Sequence, residues 1–251
     1  MIFRFFRLLT VMLCLPACAL ADPAATLAMV DGTVHLVRSD GKRLLLAAGS
    51  TLAPGDVITT ERSSYAKLRF SDGAEVALRP SSRLAIDDYR FDEARPADDA
   101  ALVRLLKGGL RTVTGLIGKR GNQDAYRLQG GTATIGIRGT DFVARLCAKE
   151  HCEEQDEEIA DDDAPAKPAQ KSPATTAGDA LPHGPGLYTE VKSGSVIVRQ
   201  DGRTLILRKG ETGFAARNGL DLYRLNTQPN FLQQDAWMRS MRIDPAACRT
   251  R

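Results

Sequence analysis

The chain is organised by short alternations of apolar and polar residues, most of them closed by a turn signal. "GTVHLVRSDGKRLLLAAG", from Gly32, places Val34 and Leu36 on one side of a run, then Asp40-Gly41, then a leucine-rich triplet. "GSVIVRQDGRTLILRKG", from Gly194, repeats that order around Asp201-Gly202. Successive strand side chains point to opposite faces, so such alternation predicts strands with one buried face. Asp-Gly between two runs favours a type I′ hairpin turn, because both central residues need positive φ. The same turn chemistry recurs where Leu68 and Phe70 precede Asp72-Gly73 and Val76 and Leu78 follow. The two long echoes are expected to form two edges of one β-domain, not two domains.

Further β signals fill the interval. Leu52, Val57 and Ile58 flank a turn around Pro54-Gly55. "SSRLAIDDYRFD" alternates through Leu84 and Ile86, then slips before Tyr89 and Phe91. Residues 92–100 form a polar loop. "ALVRLLKGGLRTVTGLIGK" follows, and Gly108, Gly109, Gly115 and Gly118 with Val113 and Thr114 predict two short strands about a turn.

"GGTATIGIRGTDFVARLC" (130–147) raises the question of a phosphate-binding loop. Its glycines fit neither G-x-G-x-x-G nor G-x-x-x-x-G-K-[ST], and no helix start follows to present amides to an anion. Instead Ala133, Ile135 and Ile137 alternate before it, and Phe142, Ala144 and Leu146 after it. Two strands are therefore expected to meet at Arg138-Gly139-Thr140-Asp141, where glycine permits a bulge or corner. Asp141 would accept backbone N–H bonds in that bend, with Arg138 as its ionic partner.

Two segments differ in kind. Residues 153–185 run from "EEQDEEIADDD" into "APAKPAQKSPATTAGDA" with almost nothing to bury, the composition of a disordered insertion. It serves either as an interaction tail or as a tolerated insertion. At the C-terminus, Asn230 with Gln233 three residues on resembles a capping box. Phe231, Leu232, Met238 and Met241, with Trp237 among them, would line a short helix packed on the β-domain or docking a partner. The expected organisation is residues 1–21, a β-domain over 22–225 carrying the insertion, and a helical tail over 226–251.

The N-terminus adds a compartment. Arg4 and Arg7 precede the apolar stretch Leu8–Leu15, and Ala19-Leu20-Ala21 offers small residues for cleavage between Ala21 and Asp22. This is the pattern of a secretory signal peptide, and no later segment approaches the length of a membrane span. Leu15-Pro16-Ala17-Cys18 loosely resembles a lipobox, so lipidation at Cys18 is the alternative. The expected product is a periplasmic protein without a transmembrane span, soluble or peripherally or lipid-anchored to a membrane. Without residues 1–21 the chain carries 32 basic and 31 acidic side chains, two arginines fewer than the whole. Eight of those acids lie within 153–163, leaving a basic body that could favour anionic surfaces.

Candidate chemistry is sparse. His35, His151 and His183 fall in no catalytic motif, so no catalytic residue is assigned, no cofactor is expected and an enzyme is not. Dispersed basic residues and few aromatics argue against nucleic acid. Cys147 and Cys152 are a disulfide candidate in an oxidising compartment, leaving Cys248 over. The competing reading is a copper(I) or zinc site built on Cys147, His151 and Cys152 beside Glu153 and Glu154.

"TATIGIRGTDF", carrying Arg138, Gly139, Thr140, Asp141 and Phe142, resembles the signature strand of the FecR-type domain, named for the regulator of iron-citrate transport. The resemblance extends in order through Gly32-Thr33-Val34, "AGSTLAPGDVITT", "AKLRFSDGAEVALRPSSRLAI", "LLKGGLRTVTG" and "VKSGSVIVRQDGRTLILRKGETGFA", about residues 28–216. It implies an all-β periplasmic domain of sandwich or jelly-roll type. Transmembrane regulators of that family carry a sigma-factor-binding region and a span before this domain, and a signal-receiving region after it. Their absence here implies a stand-alone exported form without anti-sigma activity. The resulting expectation is a non-enzymatic signalling or scaffold module with an envelope protein as partner. The alternatives are a small-ligand or cell-wall glycan-binding module, or a metal-handling module.

Overall fold

The computed structural model describes residues 23–122, 124–148, 152 and 184–232, and of Arg138 only the backbone. The first part of the chain supplies β1 (Ala25–Asp31), β2 (Val34–Val37), β3 (Arg43–Leu45), β4 (Thr51–Leu52), β5 (Val57–Thr60), β6 (Tyr65–Phe70), β7 (Glu75–Leu78) and β8 (Arg83–Arg90). Three long or central strands follow: β9 (Ala100–Val113), β10 (Tyr126–Gly130) and β11 (Ala133–Cys147). The last four are β12 (Gly186–Gln200), β13 (Arg203–Arg208), β14 (Thr212–Ala216) and β15 (Leu222–Leu225). Single 3-10 turns occupy Pro96–Asp98 and Asn230–Leu232.

These strands form one continuous hydrogen-bonded network that doubles over on itself. The long strands β9, β11 and β12 do the folding, because each changes partners along its length. β9 pairs with β8 and β10 through its first half, then with β7 and β11. β11 pairs with β10 before Arg138 and with β9 after it, keeping β12 on its other side throughout. β12 pairs with β14 over Gly186–Glu190 and with β13 over Ser195–Gln200. The first layer therefore reads β3-β2-β5-β8-β9-β10-β11-β12-β13, and the second reads β4-β1-β6-β7-β9-β11-β12-β14-β15.

Each long strand turns the corner at a glycine of positive φ: Gly108 at 78°, Gly139 at 62° and Gly194 at 77°. The corner also reverses which parity faces inward. In β11, Ala133, Ile135 and Ile137 are core residues before it, and Phe142 and Ala144 after it. In β12, Leu187 and Val191 give way to Val196 and Val198; in β9, Val103 and Leu105 give way to Leu110. A strand has a period of two, so without the shift its apolar set would face water beyond the corner. A Cβ on Gly194 would stand 2.5 Å from the Gly139 carbonyl oxygen, so the corners of β11 and β12 nest and admit only glycine there.

The architecture is all-β, as the alternation predicts, with three local differences. Residues 100–113 are one bent strand, not two strands about a turn: Gly108 bends the ladder without ending it. Residues 133–147 are likewise one strand, with its register shifting between Arg138 and Phe142. Of the three Asp-Gly turns, Asp201-Gly202 has two positive φ values, 45° and 77°. At Asp40-Gly41 and Asp72-Gly73 only the glycine is positive, because one extra loop residue makes these a turn followed by a glycine bulge. The echoing hairpins nevertheless lie at opposite edges of the first layer, β2–β3 at one and β12–β13 at the other. The predicted insertion up to residue 183, the signal segment and all but the first turn of the predicted C-terminal helix lie outside the described residues.

Candidate functional site

In a two-layered sandwich the side chains between layers make the core, and the outward faces meet water. The second layer departs from this. Its outward face carries an apolar cluster of Val143, Tyr188, Phe214, Leu225, Phe231 and Leu232, joined by the Cys147–Cys152 disulfide. Tyr188 anchors it, with ring centroids 4.7 Å from Phe214 and 4.9 Å from Phe231 in an edge-on contact. Arg145 fastens the cover, donating to the carbonyls of Phe231 at 2.9 Å and Cys152 at 3.2 Å.

Beside the cluster the same face turns ionic. Register places Lys67 opposite Ala77, Ala77 opposite Arg111, Arg111 opposite Val143, and Val143 opposite Glu190. Lys67 Nζ lies 2.9 Å from Glu75 Oε2, and Arg69 donates to Glu75 Oε1 at 3.1 Å. Arg111 donates from Nε and Nη2 to the two oxygens of Asp141 at 2.9 and 2.8 Å, a two-pronged geometry that fixes both groups. Lys192 pairs with Glu190. Glu190 Oε2 is buried and accepts no hydrogen bond among the described residues.

The other buried carboxylates are clamps between loops. Asp72 accepts N–H bonds from Ala74 and Ile117 and the Tyr89 hydroxyl. Burial pushes its carboxyl above the ordinary value of 3.8, against the lowering pull of those bonds. Desolvation raises the Tyr89 phenol as well, and the neighbouring Asp72 charge adds to it. Asp99 receives Arg120, which also donates to the carbonyls of Asp92 and Glu93 and stacks over the Phe91 ring at 4.7 Å. Asp56 receives Arg38 at 2.6 Å and the Ala53 N–H at 2.7 Å.

The signature residues all sit at the β11 corner. Gly139 makes the turn, and Phe142 is buried in the core. Thr140 stitches the corner: its N–H donates to Thr114 Oγ1 at 2.9 Å and its hydroxyl to the Ser195 carbonyl at 2.6 Å. Asp141 binds Arg111, which the β9–β11 ladder carries to the carboxylate from 30 residues away; the side chain of Arg138, its expected partner, lies outside the description. The disulfide occupies both thiols that a metal reading of Cys147, His151 and Cys152 requires. His151, Glu153 and Glu154 lie outside the described residues, as do Cys18, Ala21, Asp22 and Cys248. Among the described residues no group of three His, Cys, Asp or Glu could hold a metal, and no helix is long and apolar enough to cross a membrane.

Sequence reasoning missed Lys67, Glu75, Arg111 and Asp72. Alternation identifies which face a residue is on, and Lys67 and Glu75 alternate as solvent-facing residues would. No local signal tells that their face is covered. Asp72 carries a turn signature whether exposed or buried.

This arrangement defines an all-β domain whose charged groups hold one part of the chain against another. Residues 56–155 match the model of the family described as FecR protein. No curated protein matches the chain. Solved structures similar to it include two crystal structures of a candidate anti-sigma factor from Parabacteroides distasonis ATCC 8503. They share 12% and 13% identity, with a TM-score of 0.43 in each case. The similarity covers 68% of this chain and 60% of that chain, so this chain spans less than two thirds of its neighbour's length.

Proposed function

We propose that the chain is an exported, non-enzymatic FecR-domain protein that works in the periplasm as a protein-interaction module, in signalling or as a scaffold. One observation carries this reading: within and around the FecR domain, each buried carboxylate among the described residues is engaged by the chain's own donors. Asp56, Asp72 and Asp99 close loops, while Glu75 and Glu190 pair with lysines on the same face. A catalytic acid or base must instead present a proton-transfer atom to a substrate. A rigid frame with its polar groups committed internally suits recognition of another macromolecule by surface shape.

Export rests on Arg4, Arg7 and the Leu8–Leu15 stretch ahead of Ala21. Intact mass of the mature protein separates cleavage before Asp22 from lipidation at Cys18. The function itself is tested by in-cell crosslinking of the tagged protein with mass spectrometry of the crosslinked peptides. The expected result is one dominant envelope protein, joined through residues of the 56–155 segment. Recovery of cell-wall fragments alone, at good crosslinking yield, would overturn the protein-partner reading in favour of glycan binding.

A further inference from the structure

The two echoing hairpins end the first layer at opposite edges, and their outer strands differ in length. β3 is three residues long, whereas β13 runs six, Arg203–Arg208. A long edge strand is a template for a strand of another chain, and short edge strands avoid that. β13 also has the composition that strand addition favours: Thr204, Leu205, Ile206 and Leu207 in a row, with Ile206 48% exposed. Among the described residues it pairs with β12 alone. Its free edge is nevertheless occupied. Asp201-Gly202 closes the hairpin as a two-residue turn, so Arg203, Leu205 and Leu207 exchange bonds with β12. The backbone groups of Thr204, Ile206 and Arg208 therefore point away from β12. Glu211 engages Arg208 twice: the Arg208 N–H donates to Glu211 Oε2 at 2.7 Å, and its carbonyl accepts the Glu211 N–H at 2.9 Å. The Ile206 carbonyl accepts Arg224 Nη2 at 3.1 Å. Arg224 and Glu211 then pair with each other at 3.3 Å.

We propose that Arg224 and Glu211 guard the β13 edge, and that what they exclude is a second copy of this chain. Arg224 belongs to β15, the end strand of the second layer, two residues from Leu222, which packs on the core. It thus starts on the inward side of β15 and reaches across the open end of the sandwich to β13. Charges turned inward at an edge are one device that stops a sheet from growing. Antiparallel pairing of β13 with its copy about a two-fold axis, centred on Ile206, would use the outward groups of Thr204, Ile206 and Arg208. The Ile206 carbonyl and both groups of Arg208 are already engaged. An entering strand would have to displace Arg224 and Glu211 together and break the pair between them. Neither side chain holds the β12–β13 ladder, which lies on the other edge of the strand.

Sedimentation of the full-length protein tests this. Arg224→Ala combined with Glu211→Ala should make the weight-average mass rise with concentration toward twice the wild-type value, with the circular dichroism of wild type retained. Amide exchange at Thr204 and Ile206 should slow as the double variant associates. Ile206→Pro removes an outward N–H and leaves the ladder to β12 intact, so adding it should return the mass to the wild-type value. A double variant that folds and keeps the wild-type mass over the same concentrations would overturn the proposal. So would association that Ile206→Pro leaves in place, because another surface would then be responsible. A peptide copy of residues 203–208 gives a test on the wild-type protein even if the double variant does not fold. It should leave exchange at Thr204 and Ile206 unchanged in wild type and slow it in Arg224→Ala. Protection of these amides in wild type would show the edge to be unguarded and sink the idea.

Discussion

Asp72 and Glu75 flank the same turn between β6 and β7, three residues apart, and the fold buries both by opposite means. Asp72 is held by neutral donors, the N–H groups of Ala74 and Ile117 and the hydroxyl of Tyr89. Burial raises its pKa despite them. Glu75 faces outward and is held by two cations, Lys67 and Arg69. A buried charge held by dipoles suits a place that stays closed, because those dipoles are fixed by the backbone that they join. A buried charge held by a counter-charge suits an outward face, because if water reaches it the pair is resolvated together and neither partner is left orphaned.

The largest expected effect breaks the outward pair. Lys67→Ala leaves Glu75 buried with only the peripheral Arg69 and should cost about 3–5 kcal/mol in urea unfolding. Lys67→Met combined with Glu75→Leu should fold with stability near wild type or above it, since removing both charges also removes their desolvation penalty. If Lys67→Ala proves no worse than Arg69→Ala, the distinction between covered and open halves of this face is lost.

A smaller effect sharpens the other side. Asp72→Asn keeps the shape but offers one carbonyl oxygen where two backbone N–H groups converge on separate oxygens, at a cost of about 1–3 kcal/mol. Its pH signature is specific. A folded-state pKa raised above 3.8 means that the native protein holds this proton more tightly than the unfolded chain does. Stability from this group is therefore greatest below 3.8 and declines as pH rises through the raised pKa. Asp72→Asn lacks that decline, so its deficit against wild type should narrow over the same window. A deficit constant with pH would show that Asp72 titrates normally.

The smallest effect is a reference point on open surface. The Arg95 side chain lowers the Asp92 pKa through its hydrogen bond. The stabilisation such a pair offers is present above the ordinary carboxylate pKa and lost as pH falls. Both groups are solvent-exposed and screened. Arg95→Ala should leave the urea midpoint at neutral pH unchanged within error. A measurable loss would mean that exposure does not separate the strong ion pairs of this molecule from the weak ones.

Several features were legible from residue order alone. The slip after Ile86 in "SSRLAIDDYRFD" is a register shift in β8, visible because one extra residue interrupts a period of two. The all-β class and the strand alternations on both sides of Gly139 came from the same periodicity. What stayed hidden depends on distance in space. Arg111 lies 30 residues from Asp141, and only the ladder between β9 and β11 brings them together. The continuity of β9 through Gly108-Gly109 was hidden for a different reason. Glycine permits a turn and a bend alike, and the choice is made by β7, β8, β10 and β11 pairing along both halves. Lys67 and Glu75 were written in the pattern of wet residues and became dry through packing that no strand encodes in itself.

The three strands shared between the layers bear on how the molecule comes apart. A sandwich of two separate sheets can part along its seam, and each half can be probed as its own unit. Here β9, β11 and β12 are members of both sheets, and their ladders continue through the corners. Peeling one layer away requires breaking bonds along strands that the other layer still holds. Amide protons on the two halves of β11, such as those of Ile135 and Ala144, should therefore exchange through a common opening with matched free energies. The glycine corners make two walls out of one hinge-less sheet, and the reward is a single melting event for the whole shell.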